Sequence, residues 1–261
     1  MIDHEFRIIT PIVRSLIKKS SPSEPILIKK IPKKFISKKY LSRCNLEYLK
    51  KAKLLKGVFY RGLPLNLSKN YFKQEFEMEE TFKDLIDTCK LNIKGNRIIQ
   101  IPNPDYVNFK SFEKLVSKME KFSGFELISS WHQKKTSDKI YEKFLDFVQN
   151  SKFPLSIEVD YFFRNSHNNL HYFFDIIKKY PKIKFWLPHF GCGIFLHWEK
   201  IINICHFKPL ILTSAPQSLT WLEIFKLRKF KNIPLRFASD HPFNNLNSIK
   251  IYDEFIKFKK L

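Results

Sequence analysis

The sequence predicts an α/β fold, a TIM-like (β/α)8 barrel, with a single domain over residues 1–261. Two observations support this prediction. From about residue 96, short β-branched or aromatic runs alternate with amphipathic stretches, which is the pattern of βα units on a parallel sheet. The length of 261 residues also suits one such barrel. With 44% hydrophobic and 28% charged residues, the composition is close to globular averages and provides enough apolar material for a core.

Six candidate strands lie in the second part of the chain, and several end in polar residues. They are Arg97–Ile101, Phe125–Ser129, Leu155–Val159, Lys184–Leu187, Leu210–Thr213 and Leu235–Ala238. Apolar residues three and four positions apart predict helices between them, for example Leu170, Phe173, Ile177 and Tyr180. Upstream, Ile2–Ile9 and Leu55–Tyr60 are further candidate strands, and Glu77–Cys89 is a candidate helix. The count reaches about eight strands, as a closed barrel requires.

The chain is strongly basic, with 47 Lys and Arg against 25 Asp and Glu and a net charge of +22. Half of this excess lies in Lys18–Lys56, which carries 13 basic and 2 acidic residues and forms a basic insertion after the first strand. Few aromatic residues interleave its lysines, so a solvated loop explains the segment better than a nucleic-acid surface does. No motif of a nucleic-acid-binding module is present, and a non-specific polyanion binder rests on charge alone.

The sequence also predicts the cellular setting. No run reaches the length of about 18 apolar residues that a membrane span needs, and the N-terminus lacks a basic region followed by an apolar core. The four cysteines show no CxxC or zinc-finger spacing, so neither a disulfide framework nor a structural zinc site is indicated. We therefore expect a cytoplasmic protein with no membrane span. Nothing in the sequence specifies an oligomeric state.

Polar residues follow two of the predicted strands, at the carboxyl end, where barrels place their functional residues. His189 follows the strand that ends at Leu187, and Asp240 follows the strand that ends at Ala238. Carboxyl ends of parallel strands converge on the barrel axis, where an imidazole and a carboxylate can ligate a metal or relay a proton. A buried, hydrogen-bonded histidine and a helix-capping aspartate are the structural alternatives.

Several short sequence motifs together resemble those of the amidohydrolase-related (β/α)8 barrels of the amidohydrolase superfamily. They occur in the family's order and at its spacing, over residues 96–258 and most clearly after residue 154. They are Tyr180-Pro181, Leu187-Pro188-His189-Phe190-Gly191, the strand Leu210–Ser214, and Phe237-Ala238-Ser239-Asp240-His241-Pro242-Phe243. The resemblance implies a barrel enzyme whose metal-bound water attacks a carbonyl-type centre, or a decarboxylase with the same site.

The resemblance also assigns roles to individual residues. His189 falls at the sixth-strand histidine, a metal ligand or substrate contact, and Asp240 at the eighth-strand aspartate, a ligand and proton acceptor. The family's first strand reads Asp-x-His-x-His, or Asp-x-Glu-x-His among decarboxylases, whereas here Glu5 and Arg7 follow Asp3 in the two ligand positions. Glu5 can coordinate a metal, whereas a guanidinium has no lone pair to offer.

The remaining predicted positions complete the site. Glu158 stands at the fifth-strand histidine position and Glu126 at the fourth-strand position. His132, in the loop after the fourth strand, and His241 are candidate substrate contacts together with Arg7, and an exposed loop histidine is the alternative for His132. Strand alternation places His4 on the face opposite to Glu5 and Arg7.

Three functional hypotheses follow. The first is a metal-dependent hydrolase or decarboxylase acting on a small carboxylated or cyclic substrate, with Asp240 and His189 as catalytic residues and Glu5, Glu158, His189 and Asp240 as metal ligands. Its divalent metal is Zn, Mn or Mg, and the carboxylate-rich ligand set favours the harder cations. The second is a metal-free, catalytically inactive barrel that binds a ligand or partner, with Arg7 supplying the positive charge. The third is the polyanion binder.

Overall fold

The computed structural model describes residues 1–8, 10–11, 15, 48, 55–62, 68–132, 134–135, 137–158, 167–188, 236–239 and 252–257. Within these residues, six parallel strands form one sheet in sequence order, β1 to β6. The strands are β1 Ile2–Ile8, β2 Gly57–Gly62, β3 Lys94–Gln100, β4 Gly124–Leu127, β5 Leu155–Ile157 and β6 Phe185–Trp186. Sequential order with every pair parallel is the arrangement that successive βα units build.

Four described helices connect these strands. They are α1 Ser68–Cys89, α2 Phe109–Ser117, α3 Glu142–Ser151 and α4 His167–Lys179, and residues 252–257 are also helical. Helix α2 begins at an N-cap, because Asn108 Oδ1 accepts a hydrogen bond of 2.9 Å from the backbone N–H of Ser111. Helix α4 ends with Lys178 and Lys179, whose charges suit the negative end of the helix dipole.

The sheet curls around an interior space. The ring centroid of His4 in β1 lies 5.7 Å from that of Trp186 in β6, and Phe59 in β2 lies 5.0 Å from Trp186. Neighbouring strands are about 4.8 Å apart, so β1 and β6 would be about 24 Å apart in a flat sheet. The six strands therefore form a large part of a barrel wall.

The two faces of the sheet have different contents. The outer face packs on the helices through a continuous apolar core that includes Val58, Ile99, Phe125, Leu155 and Phe185. On the inner face Phe59, Ile98 and Trp186 form a small apolar layer, and the rings of Phe59 and Trp186 pack against His4. Toward the carboxyl ends of the strands, the inner face changes from apolar to charged residues.

Strand β1 contains a bulge. Its pairing with β2 runs from Asp3 opposite Val58 directly to Phe6 opposite Tyr60, so His4 and Glu5 fall within the irregularity. The His4 ring stacks on Phe59 at 4.9 Å, on the face that also carries Arg61 two residues along β2. The prediction that His4 faces away from Glu5 and Arg7 is wrong, because a bulge breaks the strict alternation of side chains.

The other edge of β1 contacts residues 236–239, near the C-terminal end of the chain. The His4 backbone N–H donates to the Phe237 carbonyl at 2.9 Å. Ser239 donates to the buried Asp3 carboxylate through its N–H at 3.0 Å and its hydroxyl at 2.6 Å, and Tyr48 donates at 2.8 Å. Residues 236–239 therefore occupy the place that a final strand would take in closing the barrel against β1.

The predicted α/β class and six of the predicted strands are confirmed, whereas described residues 236–238 of the predicted strand Leu235–Ala238 do not form a regular strand. Helix α1 begins at Ser68, nine residues before the predicted start at Glu77. Predicted strand Leu210–Thr213 lies outside the described residues, as does the basic segment Lys18–Lys56 apart from Tyr48, Leu55 and Lys56. The complete eight-stranded barrel, the basic insertion and the single domain over residues 1–261 stay predictions.

Candidate functional site

A buried polar cluster lies inside the sheet at the carboxyl ends of the first five strands. Each of these strands contributes inward-facing polar residues, which are Glu5 and Arg7 (β1), Arg61 (β2), Gln100 (β3), Glu126 (β4) and Ser156 (β5). The register aligns them, with Arg7 opposite Arg61, Gln100 opposite Glu126, and Glu126 opposite Ser156. The carboxyl ends of the strands are where (β/α)8 barrels place their functional sites.

Glu126 is the centre of this cluster. Its Oε2 accepts hydrogen bonds from Arg7 Nη1 at 3.0 Å and Gln100 Nε2 at 2.9 Å, while Oε1 accepts one from Arg61 Nη1. Burial by itself raises the pKa of Glu126, but Arg61 and Arg7 outweigh burial and hold it at about 2. Both oxygens of Glu126 are occupied, so this carboxylate serves the arginines and is not available as a metal ligand.

Arg61 ties the strands together beneath the site. It is completely buried, and besides Glu126 it donates to the His4 carbonyl at 2.5 Å and to Ser156 Oγ at 3.3 Å. One guanidinium thus joins β2 to β1, β4 and β5. The planar fork of five N–H donors makes arginine suited to such multiple contacts.

Arg7 links Glu126 to Glu5. Its Nη2 donates to Glu5 Oε1 at 2.9 Å and to Glu126 Oε1 at 3.4 Å. The other oxygen of Glu5, Oε2, is buried, and no donor in the described part of the chain lies within hydrogen-bond distance of it. A buried acceptor without a donor costs about 1–3 kcal/mol, so a group that supplies a proton or a positive charge at Oε2 would be favoured there.

Glu158 lies on the more open side of Arg7. It follows β5, its backbone N–H donates to the Leu127 carbonyl at 3.2 Å, and its Oε2 is 4.0 Å from Arg7 Nη2. Its side chain is 15% exposed, whereas that of Glu5 is fully buried. The predicted ligands Glu5 and Glu158 therefore lie around the same guanidinium nitrogen.

Three carboxylates, Glu5, Glu126 and Glu158, lie beside two guanidinium groups, Arg7 and Arg61. Glu126 accepts hydrogen bonds through both of its oxygens, whereas the buried Oε2 of Glu5 has no donor among the described residues. Buried carboxylates need a compensating partner, so a cation or a hydrogen-bond donor would be favoured at Glu5 Oε2.

Two histidines, His4 in β1 and His132 in the loop after β4, are buried. His132 accepts or donates at 2.6 Å to the Tyr141 hydroxyl, and burial together with nearby Lys134 lowers its pKa to about 4. The expectation of an exposed loop histidine is wrong at this position, because the 3₁₀ turn Ser129–His132 folds it against Tyr141. Burial also lowers the pKa of His4 to about 4, and its Nδ1 donates to the Phe237 carbonyl.

Three predicted site residues, His189, Asp240 and His241, lie outside the described residues. Their neighbours Pro188 and Ser239 are described, and Ser239 contacts Asp3 and the Glu5 carbonyl. The roles of His189, Asp240 and His241 stay predictions, as do substrate contacts by Arg7 and His132.

One of the two predicted ligand positions on β1 can coordinate a divalent metal, and the other cannot. Glu5 offers a buried carboxylate oxygen with no donor in the described region, which is a fitting hard ligand. Arg7, in the second ligand position of β1, cannot ligate. Among the described residues, no three His, Cys, Asp or Glu side chains come together to hold an ion. A metal centre therefore needs ligands beyond Glu5 and Glu158, and His189 and Asp240 are the ones the sequence predicts.

Sequence reasoning missed Arg61 and Gln100, which hold Glu126. Arg61 follows a predicted strand, Leu55–Tyr60, that was placed two residues short of the observed end at Gly62. Its position directly after an aromatic strand is the sequence signal that could have identified Arg61. Gln100 lies inside a predicted strand, and only its pairing with Glu126 in the structure reveals its role.

The structure matches solved structures, whereas comparison of the sequence alone finds no match. No protein-family model matches this sequence, and no curated protein does. The structure aligns with an amidohydrolase II over 100% of this chain and 99% of that chain, at a TM-score of 0.62 and 11% sequence identity. It also aligns with 5-carboxyvanillate decarboxylase from Sphingomonas paucimobilis over 96% of this chain and 91% of that chain, at a TM-score of 0.65 and 9% identity.

A third match carries ligands. It is 5-carboxyvanillate decarboxylase from Novosphingobium aromaticivorans, complexed with manganese and 4-hydroxy-3-methoxy-5-nitrobenzoic acid. The TM-score is 0.65 at 11% identity, with coverage of 96% of this chain and 88% of that chain. These matches confirm the predicted resemblance at the level of the fold, which this chain shares with the amidohydrolase and decarboxylase structures it matches. No described helix is both long and apolar enough to span a membrane.

Proposed function

We propose that this chain is an amidohydrolase-type barrel enzyme, a hydrolase or decarboxylase that acts on a small carboxylated or cyclic substrate. The observation that supports the proposal is the buried cluster at the carboxyl ends of the strands, in which Oε2 of Glu5 has no donor among the described residues. A buried, incompletely paired charge is costly, and such costs concentrate at functional sites.

In this proposal Glu5, Glu158, His189 and Asp240 would hold one divalent metal. The metal would supply a Lewis acid and a positive charge beside Glu5. Asp240 accepts a proton and His189 orients the substrate, while His132, His241 and Arg7 are further candidate contacts. A divalent cation attracts carboxylate oxygens, which favours a carboxylated substrate. Two of the fold's solved representatives are decarboxylases, which supports that substrate class.

The experiment combines metal analysis with an assay. Protein purified without added metal is analysed for Zn, Mn and Mg, and is then tested with aromatic carboxylic acids for release of CO2 and with cyclic amides or esters for hydrolysis. We expect about one metal per chain and one of the two activities. Glu5→Gln should lose both metal and activity.

Glu75→Gln is the matched control for Glu5→Gln. Glu75 is also fully buried and paired with an arginine, Arg97 at 3.0 Å, and its Oε1 also lacks a donor among the described residues. It lies on α1, outside the barrel interior, so its replacement should leave metal content and activity unchanged. Equal losses in both variants would mean that Glu5 acts only through stability.

One observation favours the second hypothesis, a metal-free barrel that binds a ligand. Arg7 stands in a predicted ligand position and already neutralises Glu5 and Glu126. Without a metal, Glu5 Oε2 still has no donor among the described residues, so this barrel would prefer a cationic or hydrogen-bond-donating ligand to a carboxylate. Absence of metal from active, folded protein, with binding of amines in preference to carboxylates, would establish this alternative.

A further inference from the structure

Arg7 is placed to hold Glu5. Its two terminal nitrogens donate to Glu126 and Glu5, and its side chain is only 4% exposed. It binds a single oxygen of Glu5, which leaves the other oxygen, Oε2, without a donor in the described region. The side chain therefore fixes the orientation of the Glu5 carboxylate and leaves one of its two oxygens open.

Arg7 is itself held firmly. Glu126, its main acceptor, also binds Arg61 and Gln100. Gln100 Nε2 donates in addition to the Gly62 carbonyl at 2.8 Å, and Arg61 donates to the His4 carbonyl. Glu126 cannot turn without breaking hydrogen bonds to side chains from three strands, so the path from Arg61 through Glu126 and Arg7 to Glu5 is rigid.

We infer that Arg7 is a positioning residue that presents Glu5 Oε2 to a bound cation, with Glu126 as its anchor. The inference rests on the proposed function for the identity of that cation. The contact between Arg7 and Glu5 does not depend on the proposed function. Groups that hydrogen-bond to a ligating carboxylate fix its orientation, and their loss typically weakens metal binding by about 10–100-fold.

Arg7→Lys separates positioning from charge. Lysine keeps the positive charge near Glu5, but its ammonium lacks the planar fork that reaches Glu126 and Glu5 together. If Arg7 acts only through charge, the variant should bind Mn²⁺ as the wild type does. If Arg7 positions Glu5, calorimetric titration should show Mn²⁺ affinity lowered by about 10–100-fold.

Arg97→Lys is the matched control, because Arg97 is equally buried and pairs with Glu75 away from the cluster. We expect it to lower the melting temperature without changing Mn²⁺ affinity. Unchanged affinity in folded Arg7→Lys, or equal weakening in Arg97→Lys, would overturn the inference.

A second measurement works without any metal. A double-mutant cycle of Arg7→Lys and Glu5→Gln, followed by urea unfolding, should show strong non-additivity, whereas the cycle of Arg97→Lys with Glu5→Gln should be additive. Additivity of Arg7 and Glu5 would refute the positioning contact. If wild type binds no Mn²⁺ but the first cycle is non-additive, the metal in the proposed function fails while the positioning contact stands.

Discussion

Replacement of Glu126 by glutamine tests the charge cluster most directly, because this carboxylate is the acceptor for both buried arginines. The variant keeps the size of the side chain and removes its charge. Arg7 and Arg61 then face each other across a neutral amide in a buried place. Loss of one partner from a buried ion pair costs about 3–5 kcal/mol.

The pKa of Glu126 gives an independent magnitude. Arg61 and Arg7 hold it at about 2, against an ordinary value of 4.5. Each pKa unit between the folded and unfolded chain corresponds to about 1.4 kcal/mol, so ionised Glu126 contributes about 3 kcal/mol at neutral pH. The two figures agree, and we expect Glu126→Gln to lower the free energy of unfolding by about 3–5 kcal/mol at pH 7.

The pH dependence follows from the sign of this pKa difference. A carboxyl group whose pKa is lowered by folding stabilises the protein above its unfolded pKa, and this contribution disappears as the pH falls toward its folded pKa. The difference between wild type and Glu126→Gln should therefore be constant from pH 7 to about 5.5. It should shrink by about 1 kcal/mol at pH 4.

Urea unfolding of both proteins at pH 7, 6, 5 and 4 measures this difference. Glu75→Gln is the control, because burial raises the pKa of Glu75 in spite of Arg97 beside it. For Glu75 the sign is opposite, so wild type should gain stability relative to Glu75→Gln as the pH falls. A loss below about 1 kcal/mol for Glu126→Gln at pH 7, or a difference that ignores pH, would refute Glu126 as the centre of the cluster.

Three further variants test other parts of the structure. Burial raises the pKa of Asp3 to about 6 in spite of its hydrogen bonds. As the pH falls from 7.5 to 5, the free energy of unfolding of wild type should therefore rise by about 1 kcal/mol relative to that of Asp3→Asn. A difference that does not change with pH would contradict this. Tyr141→Phe removes the 2.6 Å hydrogen bond to buried His132 and should cost about 1–3 kcal/mol in urea unfolding. Gly95→Ala places a Cβ atom 2.3 Å from the Phe82 ring, which is stacked on Tyr60. This clash should lower the free energy of unfolding by about 1–3 kcal/mol. An unchanged melting temperature would show that the ring moves.

The fold was predictable because the alternation of strands and helices is a local property of the sequence. Strands β4 to β6 lie within one or two residues of their predicted positions, since each combines β-branched or aromatic residues with flanking polar ones. The early start of α1 was not predictable in the same way. Its first residues, Ser68–Asn70, carry no apolar period that marks a helix, so only the complete fold extends it upstream.

The site was predictable in its members and less so in its contacts. Glu5, Arg7 and Glu126 were named from strand positions that the family resemblance supplied, and the structure places all three in hydrogen-bond contact. The orientation of His4 was not predictable, because it depends on a bulge that strand alternation does not reveal. Arg61 was missed since its partners are 57, 65 and 95 residues away, and no local pattern encodes such distances.

The contact between Asp3 and Ser239 has a consequence for the order of folding. These residues are 236 positions apart, and two hydrogen bonds from Ser239 reach the Asp3 carboxylate, which is completely buried. During synthesis β1 is made long before residues 236–239, its partner on that edge. Contacts of such long sequence separation form slowly, because the intervening chain must be ordered before these contacts can form. Until residues 236–239 have been made, β1 therefore has one edge and one acidic side chain without their native partners.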